Sequence, residues 1–134
     1  MKVIFFPVKE TQLKLLKIYQ TALDHFHRQE PLLILVPDEN ALHFVDNLLW
    51  RYPENSFLPH NSGIEAVQDI IALTKEPVNV NQATALFNLC PHPAEIAGIH
   101  LIYELDDFTS KEKQEASQKR FATYRSAGYP ITLA

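Results

Sequence analysis

The sequence predicts an α/β domain in three layers, with a largely parallel sheet of about five strands and helices on both faces. Short continuous apolar runs, bounded by prolines, alternate with longer segments that have the spacing of amphipathic helices. In order, these segments read β-α-β-α-β-β-β-α, which is typical of parallel strands joined by crossover helices. The 134 residues, 46% hydrophobic and 21% charged, suit one domain that spans residues 1–134.

The first half of the chain is predicted to hold two buried strands and two helices. The runs KVIFF at 2–6 and PLLILVP at 31–37 are continuously apolar, as strands covered on both faces are. Residues 9–28 between them have helical periodicity. Asp38 is a suitable N-cap for a second helix, which must end before Pro53. The side chains expected to face the sheet are Leu15, Tyr19, Ala22 and Phe26, then Leu42, Val45, Leu48 and Leu49.

The second half is predicted to complete a Rossmann-like arrangement. Residues 66–74 fit either a helical turn or a short strand. Residues 83–89 and 99–105 are rich in aromatic and β-branched side chains, which favours strands that could run in either direction. Residues 106–127 are polar and helical, and Gly128 is the expected end of that helix.

The acidic residues of ELDDF at 104–108 have a structural interpretation. Three carboxylates follow a predicted strand and precede the last helix. Asp106 or Asp107 is expected to be the N-cap of this helix, because acidic groups favour that end.

The usual nucleotide site of an open α/β sheet is not expected. Such a site needs glycines after the first strand, so that the backbone can approach the phosphates. Here the first strand runs into PVKETQL, and the three glycines, Gly63, Gly98 and Gly128, are not clustered. We therefore expect no nucleotide and no other cofactor.

Metal binding and catalysis are not expected either. His25 and His27 point to different faces of the first helix, His43 is isolated, and His60, His92 and His100 have no carboxylate at ligand spacing. Cys90 lies near His92, but a reactive thiolate needs a charge or a helix terminus that lowers its pKa, and the prolines beside His92 indicate a stiff connection. We expect this chain to have no catalytic site of its own.

Net charge and hydropathy argue against two further classes, nucleic-acid-binding proteins and membrane-spanning proteins. A net charge of −4 argues against direct nucleic-acid binding, which needs concentrated Lys and Arg. No stretch approaches the roughly 20 apolar residues of a membrane span, and a cytoplasmic protein is expected. These exclusions favour a protein that binds other proteins.

The stretch LLWRYPENSFLPHN, at 48–61, is the first candidate interface. The leucines at its start already fill the inward stripe of the second helix, so Trp50 and Phe57 are expected to be exposed. Pro59 stiffens the exit of the loop. Exposed aromatic side chains beside a rigid element are favoured anchors for partner proteins.

The segment SQKRFATYRSAGY, at 117–129, is the second candidate. It has no acidic residue in a net acidic chain, and Phe121 and Tyr124 lie among its cations. Cations beside an aromatic ring can receive an acidic peptide with an apolar end. Alternatively the rings face the sheet and the helix is simply solvated. The cations are Lys119, Arg120 and Arg125.

These two segments resemble the chi subunit of bacterial DNA polymerase III. LW, then P, then SFLPHN within 48–61 is similar in kind and spacing to a loop of that family. RFATYRSAGY at 120–129 is similar to its final helix and glycine stop, and the strand order is similar over most of the chain. The resemblance implies a non-catalytic accessory subunit of the clamp loader, with a Rossmann-like fold and no nucleotide.

The resemblance also implies two partners. One is the psi subunit or another clamp-loader protein, on a surface that Trp50, Phe57, Pro59 and His60 match, and in some family members a helicase competes for that surface. The other is the acidic, phenylalanine-ended C-terminal tail of single-stranded DNA-binding protein.

The tail surface departs from the family pattern, which has basic residues where this chain has Gln114, Gln118 and Ala122. Lys111 and Arg125 are expected on the same helix face with Arg120 beside them, and these three cations are expected to replace the lost charge. The residues expected at the tail surface are Lys111, Gln118, Arg120, Phe121, Ala122 and Arg125.

Three other functions compete with this interpretation. One is a nucleotide-binding or small hydrolytic α/β protein that uses the carboxyl edge of the sheet. Another is a helicase-associated repair factor that uses the same aromatic face. The third, direct binding of single-stranded DNA through 117–129, is disfavoured by the small number of cations and stacking aromatics.

Overall fold

The computed structural model describes residues 1–51, 61–62 and 70–134. Its elements, in chain order, are β1 (Lys2–Val8), α1 (Thr11–Arg28), β2 (Leu32–Leu35), α2 (Glu39–Arg51), β3 (Asn61–Ser62), β4 (Ile71–Thr74), β5 (Ala85–Asn88), β6 (Leu101–Asp107), α3 (Lys111–Ser126) and β7 (Ile131–Leu133). Asp38 caps α2 as expected, since its Oδ1 accepts from the Ala41 backbone N–H at 2.8 Å. No helix within the described ranges combines the length and the apolarity that a membrane span needs.

The described strands form one sheet in the order β3-β4-β2-β5-β6-β1-β7, and every neighbouring pair is parallel. This confirms the largely parallel sheet and fixes the direction of the two central strands, β5 and β6. The ambiguous segment at 66–74 contains strand β4. The edge strands β3 and β7 were not predicted, because two or three residues are too few to show a period.

Strand β1 continues through Pro7, which was expected to end it. In a parallel ladder successive residues bond to opposite neighbours. The Val3 N–H and the Phe5 carbonyl bond on the β7 side, so Pro7 turns its nitrogen to that side as well. Strand β7 pairs only with Val3–Phe5, so no ladder bond is lost at the proline.

Helices cover both faces of the sheet, which confirms the three-layer arrangement. Helices α1 and α2 pack on one face and α3 packs on the other. The first core contains Ile18, Tyr19, Ala22, Val45, Leu48, Leu49, Leu32, Ile34, Ile71, Leu73, Phe87 and Leu105. The second contains Val3, Phe5, Leu33, Leu35, Ala72, Leu86, Ile102 and Tyr124.

The start of α3 corrects the predicted cap. The N-cap is Ser110, whose Oγ accepts from the Lys113 backbone N–H at 3.2 Å. Asp106 and Asp107 instead belong to β6, which extends two residues beyond the predicted strand. Asp107 forms an ion pair with Lys14 at 2.7 Å, and that contact with α1 could not be inferred from local spacing. At the other end, Gly128 has a φ of +82°, a conformation that favours glycine, which confirms the predicted stop.

His25 is buried in the first core and links α1 to β6. Its Nδ1–H donates to the Glu30 carbonyl at 3.0 Å, and its Nε2 lies 2.7 Å from the Tyr103 hydroxyl. Burial lowers the pKa of His25, because the charged imidazolium would lose its hydration. The ring is therefore neutral in the folded protein at neutral pH.

This burial predicts acid sensitivity. As pH falls below about 6.5, the unfolded chain binds a proton at His25 before the folded chain does, so the free energy of unfolding decreases. Denaturant titrations at about pH 7.5 and pH 5.5 should show that the free energy of unfolding decreases less for His25→Gln than for wild type. His100 is exposed, and His100→Gln should lose as much unfolding free energy between these two pH values as wild type does. An equal loss of unfolding free energy in all three proteins would contradict this role of His25.

Candidate protein-binding surfaces and the cavity at the sheet edge

One flank of α3 carries most of the residues expected at the tail surface. Each residue advances an α-helix by about 100°, so positions 111, 114, 118, 122 and 125 fall along one stripe. Lys111, Gln118, Ala122 and Arg125 are exposed on this stripe, and Gln114 is half-buried. The helix thus brings two cations and three uncharged residues together on one largely exposed stripe.

Phe121 borders this stripe and joins it to the core. Its side chain is half-buried, and its ring lies 5.4 Å from the ring of Phe5 on β1. Tyr124, the other aromatic of the segment, faces the sheet, with only 2% of its surface exposed. Phe121 therefore provides an apolar border beside the stripe, whereas Tyr124 belongs to the core.

Arg120 lies on the opposite side of α3 from the stripe. Its side chain is 6% exposed, and its Nε donates to Glu104 Oε1 at 2.9 Å. The same guanidinium donates to the carbonyls of Leu105 at 3.0 Å and Pro91 at 3.2 Å. Arg120 is therefore engaged inside the protein, although the sequence placed it among the cations of the tail surface.

The partner of Arg120 is a fully buried carboxylate. Glu104 Oε2 accepts from the Tyr124 hydroxyl at 2.6 Å and from the Asn88 amide at 2.8 Å. Burial raises the pKa of Glu104, while the charge of Arg120 and these hydrogen bonds oppose the rise. Burial and the neighbouring carboxylate raise the pKa of Tyr124. This network holds α3 against β5 and β6, and sequence spacing gave no sign of it.

A cavity of about 580 Å³ opens at the carboxyl ends of the central strands, on the other flank of α3. Its walls come from α1, α2, α3, the ends of β5 and β6, and the segments that follow β2 and β5. The side chains that line it are Lys14, Leu15, Ile18, Pro37, Asn40, Ala41, Phe44, Val45, Asn88, Leu89, Cys90, Pro91, Leu105, Asp107, Lys113, Ala116 and Arg120.

Cys90 lines this cavity but is not an activated nucleophile. It is 5% exposed, and burial together with the Glu104 carboxylate raises the pKa of its thiol to about 11. The thiol is thus protonated at neutral pH, whereas nucleophilic cysteines need a lowered pKa. Across the described ranges, no three His, Cys, Asp or Glu side chains come together as a metal site would require.

The aromatic surface predicted at 48–61 is largely outside the described residues. The backbone of Trp50 belongs to the last turn of α2, just after the buried Leu49. The Trp50 side chain lies outside the described part of the chain, as do Phe57, Pro59 and His60 altogether. Their role as a partner surface stays a prediction.

Comparison with known proteins adds the family. No match was found among curated proteins. The family model for the DNA polymerase III chi subunit, HolC, matches residues 1–132, nearly the whole of the 134-residue chain. With its parallel α/β sheet and helices on both faces, this chain belongs to the family of the DNA polymerase III chi subunit, HolC, and its role is that of a replication accessory protein.

Proposed function

We propose that this protein is a non-catalytic subunit of the DNA polymerase III holoenzyme that connects the clamp loader to single-stranded DNA-binding protein. The observation that carries the proposal is the family match over residues 1–132. The protonated thiol of Cys90 and the lack of a glycine-rich turn after β1 support the absence of catalysis. As part of the replication machinery, the protein acts in the cytoplasm.

The tail of single-stranded DNA-binding protein binds along the exposed stripe of α3 in this proposal. Lys111 and Arg125 lie near opposite ends of the helix, about 21 Å apart at 1.5 Å per residue. An extended acidic peptide of about six or seven residues covers that distance. Its carboxylates meet the two cations, and its phenylalanine packs beside Phe121. Glu115, one turn from Lys111, weakens the attraction, so binding is weak.

The psi subunit, or another clamp-loader or helicase protein, binds at the end of α2 through Trp50, Phe57, Pro59 and His60. Helices α2 and α3 cover opposite faces of the sheet. The backbone at the end of α2 and the stripe of α3 therefore lie on opposite faces of the sheet. This arrangement supports simultaneous binding, which a bridging subunit requires.

Fluorescence anisotropy with a labelled tail peptide, across a salt series, tests the α3 surface. Exposed ion pairs contribute at most about 1 kcal/mol each and weaken as salt shortens the Debye length from about 10 Å at 0.1 M. Arg125→Glu should therefore reduce affinity several-fold at low salt and little at high salt. The double change Gln118→Lys with Ala122→Lys should increase it. Lys119→Glu, off the stripe on the same helix, is the charge-matched control.

Two outcomes count against the tail surface. If neither wild type nor the double variant shows saturable binding at low salt, α3 does not receive the tail. If only the double variant binds, this protein has lost the tail contact and works through the α2 surface alone.

A further inference from the structure

The cavity at the sheet edge occupies the position where open α/β sheets bind ligands. From β2 the chain crosses through α2 to β3 and β4 on one side, and from β5 it passes to β6 on the other. This change of direction opens a crevice between the carboxyl ends of β2 and β5, the usual ligand position in such folds. Pro37, after β2, and Leu89 to Pro91, after β5, line the cavity at that point.

The walls of the cavity favour an apolar ligand group. Its volume of about 580 Å³ lies within the range of small-molecule sites. Phe44 stands at its wall with 54% of its surface exposed, which is high for a large aromatic side chain. Leu15, Leu89 and Ala116 also face the space, so an aromatic or branched group would be covered from several sides.

The charged groups of the cavity favour an anion. Lys14 is neutralised by Asp107 at 2.7 Å, and Arg120 is paired with Glu104 at 2.9 Å. Lys113, in the first turn of α3, is exposed and has no ion pair with any carboxylate in the described ranges. The cavity thus offers one available cation beside an apolar wall.

We propose that this cavity binds a carboxylate that is carried on an apolar group of about the size of a phenyl ring. The carboxylate lies against Lys113, and the apolar group packs against Phe44 and Leu89. A nucleotide does not suit the site, because Pro37 and Pro91 have no backbone N–H and the amides of Leu89 and Cys90 are already hydrogen-bonded within the protein. The site is separate from the tail surface, which lies on the other flank of α3.

Two sources share this chemistry: a free aromatic carboxylate and the C-terminal residue of a peptide. Titrations followed by heteronuclear NMR would use 3-phenylpropionate and an acetylated dipeptide that ends in phenylalanine. Their uncharged amides and ATP serve as comparison ligands. We expect saturable shifts around the cavity with one or both acids and none with ATP. Tighter binding of the peptide indicates a protein terminus as the natural ligand, and tighter binding of the free acid indicates a metabolite.

Two matched pairs of variants test the contacts. Phe44→Ala should weaken binding about fivefold. Leu13→Ala, at a similarly exposed apolar side chain of α1 outside the cavity lining, should not weaken it. Lys113→Gln should weaken binding about threefold, and Lys119→Gln should not. Arg125→Glu should leave cavity binding unchanged while it weakens the tail, so the two proposals fail separately.

Several results would overturn the cavity proposal. They are the absence of saturation with either acid, equal binding of the acids and their amides, or equal effects within each matched pair. Saturable ATP binding that displaces the acids would assign the cavity to nucleotides instead. Thermal melting of each variant confirms that a lost signal is not caused by unfolding.

Discussion

Arg120→Ala should lower the free energy of unfolding by about 3–5 kcal/mol, because it leaves the Glu104 carboxylate buried without its cation. Glu104 is fully buried, and Arg120 provides its ion pair. The change also removes the donors to the Pro91 and Leu105 carbonyls. A loss of this size is a large share of the roughly 5–15 kcal/mol that stabilises an ordinary domain. Denaturant titration measures it directly.

The control is Arg125→Ala, five residues further along the same helix. Arg125 is exposed and has no ion pair within the described residues, so its removal should change stability by less than about 0.5 kcal/mol. Replacing Glu104 and Arg120 together with apolar residues should recover part of the loss, since no unpaired charge then remains buried. Equal destabilisation by the two arginine variants would contradict the structural role of Arg120.

The double change Trp50→Ala with Phe57→Ala should strongly weaken binding of the partner that we propose at the end of α2, while the fold remains intact. Aromatic anchors at the centre of an interface typically contribute about 2 kcal/mol or more each, so affinity should fall about a hundredfold or more. The expectation comes from the sequence, in which Leu48 and Leu49, both buried, already fill the inward stripe of α2. Calorimetric titration with psi, or capture from cytoplasmic extract, measures the loss.

Circular dichroism and thermal melting of this double variant provide the necessary check. The melting temperature should change little, and Phe108→Ala, an exposed aromatic at the end of β6, should keep full partner binding. A collapse of the melting temperature would mean that the two rings belong to the core. Unchanged affinity in a folded double variant would mean that the partner surface lies elsewhere.

The arrangement of residues on α3 explains why Arg120 is buried and Arg125 is exposed. Arg120 precedes Phe121 by one residue, which turns it by about 100° around the helix. That turn takes it from the flank with the exposed stripe into contact with Glu104. The family resemblance named Gln118 and Ala122. Spacing placed Lys111 and Arg125 on the same face, because the four positions lie three, four or seven residues apart. The sequence analysis grouped Arg120 with these residues only because Arg120 is adjacent to Phe121 in the sequence.

The sequence by itself determined the features that depend on local pattern. Apolar runs such as PLLILVP defined the strands, the Asp38 cap and the Gly128 stop defined helix ends, and the missing glycines argued against a phosphate site. Only the tertiary structure decided which distant groups meet. Glu104 and Arg120 are separated by 16 positions, Lys14 and Asp107 by many more, and the cavity draws on three helices and three strand ends. Such contacts depend on the order of strands in the sheet, and no local period of the sequence records that order.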